Sequence, residues 1–177
     1  MRLKEMVVKQ IKPELVKKYS ANPMALPEIQ KVTINVGLGK FKESKEILAS
    51  VKKEMTQIFG QAPKWTAAKK SVSGFKIREG QMIGYCLTLR NGRMWDFLER
   101  FINVALPRIR DFEGISSQKF DRQGNFTIGL QDQTIFPEVK PDEIKENWGM
   151  SITINGKNFD NAEMTREYLK AIGFIFK

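Results

Sequence analysis

Ile83-Gly84-Tyr85-Cys86-Leu87-Thr88-Leu89-Arg90-Asn91-Gly92-Arg93-Met94-Trp95-Asp96-Phe97-Leu98 changes its period half-way, and that change decides the fold class. Ile83, Tyr85, Leu87 and Leu89 alternate with Cys86, Thr88 and Arg90, the period of two that sends alternate side chains to opposite faces of a half-buried strand. After the Asn91-Gly92 turn signal, Met94, Phe97, Leu98, Phe101, Ile102 and Ala105 recur at helical steps, and Pro107 is expected to stop the helix. A strand with one polar face running into an amphipathic helix calls for helices packed against one side of a sheet.

The flanking sequence agrees. Val32, Ile34 and Val36 alternate with Thr33 and Asn35 in a second half-buried strand, which Gly37 and Gly39 end. Ser44 is placed to cap a helix whose buried stripe is Ile47, Leu48, Val51, Met55 and Ile58. Pro13 suits the first turn of a short helix reaching Tyr19. Downstream, Phe126–Leu130 follows the turn chemistry of Asp121–Asn125, and Met150–Ile154 is a further strand. Asp160, with Glu163 three residues on, would cap a last helix that turns Ala162, Thr165, Leu169 and Ile172 inward. No repeat or linker divides the 177 residues. The expectation is a single α+β domain over residues 1–177: two layers, helices on one face of a mainly antiparallel sheet, and the other face open and polar.

Charge then points to the partner. Thirty Lys and Arg against 20 Asp and Glu give a net charge of +10, more than solubility requires of a small domain. Gln61–Arg93 concentrates it: Lys64, Lys69, Lys70, Lys76, Arg78, Arg90 and Arg93 face one acid, Glu79, for a local net charge of +6. Cations that alternate with glycines and hydroxyls suit a polyanion, and phosphate is the obvious one because its neutralisation releases condensed counterions. Residues 131–167 hold eight acids against four bases, which suggests a second, protein-facing surface. The loop at about 69–81 is longer than a strand connection needs, and Gly74 and Gly80 let its backbone approach a ligand. Phe75 within it either packs on a sugar or base or pins the loop to the core. The face carrying Thr33, Asn35, Thr88 and Arg90 reads equally as a donor platform for folded RNA and as an ordinary solvated strand face.

Other chemistries find little support. Gly37-Leu38-Gly39-Lys40 lacks the spacing of a phosphate-binding loop and reads as a strand-ending turn. The chain has no histidine, and Asp96, Glu99, Asp111 and Glu113 form no acid–base pair or magnesium cluster, so neither a metal site nor catalysis is expected. A lone cysteine, Cys86, suits a reducing compartment. No apolar run approaches the roughly 20 residues that span a bilayer, and the amino terminus lacks a signal-peptide core, so a cytoplasmic protein without a membrane partner is expected. The rivals to an RNA-binding protein are an RNA-processing enzyme and a module whose basic face meets an acidic protein.

Several blocks are too particular to be generic. Val32-Thr33-Ile34-Asn35-Val36-Gly37, Gly60-Gln61-Ala62-Pro63, Ala68-Lys69-Lys70-Ser71-Val72-Ser73-Gly74-Phe75-Lys76-Ile77-Arg78-Glu79-Gly80, Leu87-Thr88-Leu89-Arg90, Arg93-Met94-Trp95-Asp96-Phe97-Leu98, Leu106-Pro107-Arg108-Ile109-Arg110-Asp111-Phe112 and Phe120-Asp121-Arg122-Gln123-Gly124-Asn125-Phe126 occur in that order. Ile135-Phe136-Pro137-Glu138 and Gly149-Met150-Ser151-Ile152-Thr153-Ile154 close the series. Together they resemble the L5 family of bacterial large-subunit ribosomal proteins, almost from end to end. The resemblance departs at Arg90-Asn91-Gly92-Arg93, where the family's glycine comes one place earlier, at Ser151 in place of a common aspartate, and at Ile175, where a proline is usual.

The resemblance implies a non-enzymatic protein that binds 5S rRNA and installs it in the central protuberance, beside 23S rRNA and neighbouring protuberance proteins. Asn35, Gln61, Thr88 and Arg90 match family positions that contact 5S rRNA, and Thr33 shares their strand face. Lys69, Lys70, Ser71, Ser73, Gly74, Phe75, Lys76, Arg78 and Gln81 correspond to the family's loop toward P-site tRNA. Arg110, Glu138, Lys140, Asp142 and Glu143 fall in the region implied to bridge to a head protein of the small subunit. No cofactor is implied.

Overall fold

The structure is a computed structural model that describes residues 3–20, 22–41, 44–109, 112–115, 120–121, 123–140, 144–159 and 161–177. Its fold is α+β. The antiparallel sheet contains β1 (Glu28–Gly37), β2 (Lys64–Ala67), β3 (Met82–Leu89), β4 (Phe126–Leu130) and β5 (Met150–Lys157), in the order β2-β3-β1-β5-β4. By its contacts the chain divides into two compact units, one of Met1–Val32, Leu89–Ile128 and Thr153–Lys177 and the other of Thr33–Thr88 and Gly129–Ile152.

In the first unit the amino-terminal helix is longer than the sequence suggests. It begins as α1 (Leu3–Met6), widens into a π-turn at Val7–Ile11 and continues as α2 (Lys12–Tyr19). The short helix expected to start at Pro13 is thus part of a longer one. Proline has no N–H and its ring crowds the carbonyl four residues back, so the helix must open just before it. It does so by letting Lys12 N–H donate to Val7 O, five residues back. Leu3, Val7, Ile11 and Leu15 then form one buried stripe, so the apolar face of this cationic segment is used in the core.

The strand-to-helix switch of the quoted stretch is observed. Arg90 is the last extended residue, and Asn91, at φ +53°, opens α4 (Asn91–Arg100) rather than forming a separate tight turn. Met94, Phe97, Leu98, Phe101, Ile102 and Ala105 are all buried, with the Phe97 and Phe101 rings stacked at 5.6 Å. The helix passes Pro107 by way of a π-turn at Phe101–Ala105 and a 3-10 turn at Leu106–Arg108, at whose start proline needs no N–H partner. Asp160 lies outside the described residues. The cap of α5 (Ala162–Ile172) is Asn161, whose side chain accepts from Glu163 N–H at 3.1 Å and Met164 N–H at 3.2 Å. Asn161→Ala is expected to lower stability by about 1 kcal/mol. A thermal melt checks this, and an unchanged midpoint would show that water replaces the cap.

In the second unit α3 (Lys45–Phe59) buries Leu48, Val51, Met55, Ile58 and Phe59, while Ile47 is half-buried. Ser44 occupies the cap position but makes no side-chain capping bond. Gly60, at φ +65°, ends the helix in the left-handed conformation that glycine adopts without strain. The Tyr85 hydroxyl on β3 donates to Leu48 O at 3.2 Å, which fixes the face of β3 that α3 covers. Burial pushes the Tyr85 phenol above its ordinary pKa.

The stripe of α3 also carries an acid. Glu54 is buried and accepts from Trp148 Nε1–H at 2.8 Å and from the Ser50 hydroxyl at 2.8 Å. Gln133 extends the network, accepting from Trp148 N–H at 3.0 Å and donating to Glu146 O at 2.9 Å. A buried carboxylate is tolerable only with such partners. This one ties the segment 129–152 to α3.

Candidate nucleic-acid interface

The unburied face of the second unit is set by strand register. β1 lies beside β3 in the sheet, and just past its end Leu38 N–H donates to Ile83 O at 2.8 Å, so Thr33 and Asn35 stand on the strand next to Cys86 and Thr88. Burial follows the same alternation: Ile34, Val36, Tyr85 and Leu87 are buried, Asn35 is exposed, and Thr33, Cys86 and Thr88 are half-buried. On the other side of β3, Lys64 pairs with Cys86 and Thr66 with Gly84. Cys86 and Lys64 therefore stand side by side, with Asn35 on the strand at the other side of β3. Gly84 keeps this surface flat, since a Cβ there would lie 2.3 Å from Val36 O and 3.3 Å from Thr66 Oγ1.

Gln61 reaches the same strand from the turn after α3. Its Nε2–H donates to Thr88 O over a long 3.5 Å, so two residues far apart in sequence sit side by side. The structure thus brings together Thr33, Asn35, Gln61 and Thr88, which carry short amides and hydroxyls, each able to donate and to accept. Arg90 belongs to the first unit, where it is exposed and lines a groove with Lys4, Glu28, Gln30 and Asn91.

The cationic loop expected at about 69–81 is a hydrogen-bonded hairpin that opens from Ala68. Ala68 N–H donates to Gln81 O and Gly80 N–H to Ala68 O at its base, while Val72 and Ile77 exchange bonds of 2.9 and 3.1 Å near its tip. The tip is a 3-10 turn, Ser73–Phe75, closed by Lys76 at φ +51°. Two residues expected at a ligand surface also work inside the hairpin: the Ser71 hydroxyl accepts from Glu79 N–H at 2.9 Å and Gln81 Oε1 from Arg78 N–H at 3.1 Å. Lys69, Lys70, Ser73, Gly74, Phe75, Lys76 and Arg78 are exposed, with Phe75 at 72%. The result is a folded projection whose surface is cationic.

Of the residues implied in a small-subunit bridge, Glu138 is half-buried and Lys140 exposed, while Arg110, Asp142 and Glu143 lie outside the described residues. Lys140 lines a groove with Ser50, Lys53 and Lys145 beside α3. Among the described residues no group of acids or cysteine could hold a metal ion, and no helix is long and apolar enough to cross a membrane.

Sequence reasoning passed over Trp65. It is 55% exposed on β2 and pairs with Tyr85, opposite in face to Lys64. A four-residue strand is too short for its period to be read, so the usable signal was an aromatic between cations.

Residues 22–78 match the family described as Ribosomal protein L5, and residues 82–176 match the C-terminus of the same ribosomal family. The chain is 46% identical over 177 residues to the large ribosomal subunit protein uL5 of Bifidobacterium adolescentis, covering 99% of this chain and 93% of that protein. It is 46% identical over 168 residues to uL5 of Shewanella piezotolerans, covering 94% and 93%. To uL5 of Acidovorax sp. strain JS42 it is 43% identical over 177 residues, covering 99% and 98%.

Proposed function

Because this chain belongs to the L5 family, the structural and non-enzymatic proteins of the large ribosomal subunit, we propose that its open sheet face binds 5S rRNA and helps assemble the central protuberance. The observation that carries this reading is the juxtaposition of Thr33, Asn35, Gln61 and Thr88 on a rigid face backed by buried Ile34, Val36, Tyr85 and Leu87. Duplex RNA offers a shallow minor groove lined by 2′-hydroxyls, which also donate and accept. Short side chains on a flat sheet can meet several of them with little loss of conformational entropy. Lys64 supplies charge for the phosphates on this face, and Arg90 is a 5S rRNA contact of the first unit in its own right.

The hairpin takes a second role in this proposal. Lys69, Lys70, Lys76 and Arg78 present charge on a projection with its own hydrogen bonds, suited to the backbone of P-site tRNA. The segments containing Arg110, Glu138, Lys140, Asp142 and Glu143 bridge to a small-subunit head protein, 23S rRNA and the protuberance proteins are neighbours, and the setting is the cytoplasmic ribosome.

Asn35→Ala tests the platform. Asn35 is exposed, so the melting temperature should hold while 5S rRNA affinity in a calorimetric titration falls about five- to thirtyfold, the loss of one or two hydrogen bonds. Undiminished affinity would remove the platform from the account.

A further inference from the structure

Trp65 is the residue the sheet face leaves out. β2 is an edge strand, and its register turns Lys64 to the polar face while Trp65 shares the face of Tyr85, at a margin with no further strand beside it among the described residues. At 55% exposure its indole leaves a broad apolar surface in water, whereas Trp95 and Trp148 are 9% and 2% exposed. Lys64, Lys69, Lys70, Lys76 and Arg78 lie within the same short segment, against the single acid Glu79. Charge alone would suit any polyanion. A flat aromatic among the cations selects one with flat rings of its own, because a base stacks on an indole face and an acidic peptide offers no comparable surface.

We propose that Trp65 is a stacking platform for an unpaired nucleobase of the RNA held by this cationic segment, at the outer margin of the sheet. The inference rests on the RNA-binding reading above and adds a contact of different chemistry: recognition of a splayed base, beside recognition of duplex shape on the polar face. Stacking tolerates any base, so the contact contributes affinity and position rather than sequence preference. Lys64, the next residue, is placed to pair with the phosphate of a nucleotide that straddles the strand edge.

The burial of the other two tryptophans makes the test direct, since exposure to a soluble quencher such as acrylamide reports Trp65. The full chain is titrated separately with 5S rRNA and with deacylated tRNA, and both emission and affinity are recorded. The expected result is that one of the two RNAs shields Trp65 from the quencher. Trp65→Ala should remove that signal and weaken the same RNA about tenfold, while Trp65→Phe keeps most of the affinity. Circular dichroism confirms that each variant folds. Binding by the unaltered chain that Trp65→Ala leaves at full strength, or saturation with both RNAs without shielding, overturns this inference alone. Failure of the unaltered chain to bind either RNA overturns this inference and the function reading together.

Discussion

Glu54→Ala is expected to cost about 2–3 kcal/mol of folding stability, the penalty of leaving buried donors without acceptors. The side chain accepts from the indole of Trp148 and the hydroxyl of Ser50, and Trp148 N–H is in turn held by Gln133. Removing the carboxylate leaves the Trp148 indole N–H unpaired at a site only 2% exposed, where water cannot readily replace it. The thermal midpoint should fall roughly 5–10 °C. Near-ultraviolet dichroism of Trp148 should weaken together with it. Glu54→Gln is the informative control: its oxygen can accept from the indole while its amide donates to Ser50, so most of the loss should be recovered. An alanine variant as stable as the parent would mean that other contacts hold segment 129–152, such as Phe136 against Phe59 at 6.0 Å and the Lys145–Glu46 ion pair.

Replacing Lys69, Lys70, Lys76 and Arg78 together by Ala should weaken tRNA binding by on the order of 100-fold at moderate salt. Every phosphate left without its cation takes about 0.7–0.9 off the slope of log affinity against log salt concentration, so the slope should flatten as well as the affinity fall. The backbone bonds at the hairpin's base and tip, and those that Ser71 and Gln81 accept, stay available in this variant. The projection should therefore keep its shape and lose its charge. Affinity for 5S rRNA should stay within about threefold of the parent, because the face with Asn35 and Thr88 is left intact. Titration of each RNA at two salt concentrations reads both effects. Loss of 5S rRNA binding in this variant would refute the division of labour between hairpin and sheet.

Much of this architecture was legible in the chain because its strands are long enough to show a period. Phe126–Leu130 was delimited as observed, and the alternation of Thr33 and Asn35 with Val32, Ile34 and Val36 identified the open face correctly. The switch to helical spacing at Met94 was equally clear. Features set by distant or irregular contacts were not. Pro13 read as a helix start because sequence patterns do not reveal a π-turn, whose extra residue lets the helix pass proline. The burial of Glu54 left no mark on the sequence, since its partner Trp148 lies 94 residues away. The closeness of Gln61 to Thr88 came from family resemblance rather than from spacing, because a side chain in a turn follows no period. Asn161 took the capping place expected for Asp160, a one-residue ambiguity that adjacent Asp and Asn always leave.

The brevity of β2 has a consequence for the protein before it meets any partner. An outer strand offers unsatisfied backbone groups to another copy of the chain, and an exposed aromatic there would encourage such templating. Four residues give little length to template on, and the register slips between Thr66 and Ala67, which twists the ladder away from straight extension. Lys64 adds mutual repulsion between copies. Edge-to-edge growth from this strand is thereby disfavoured.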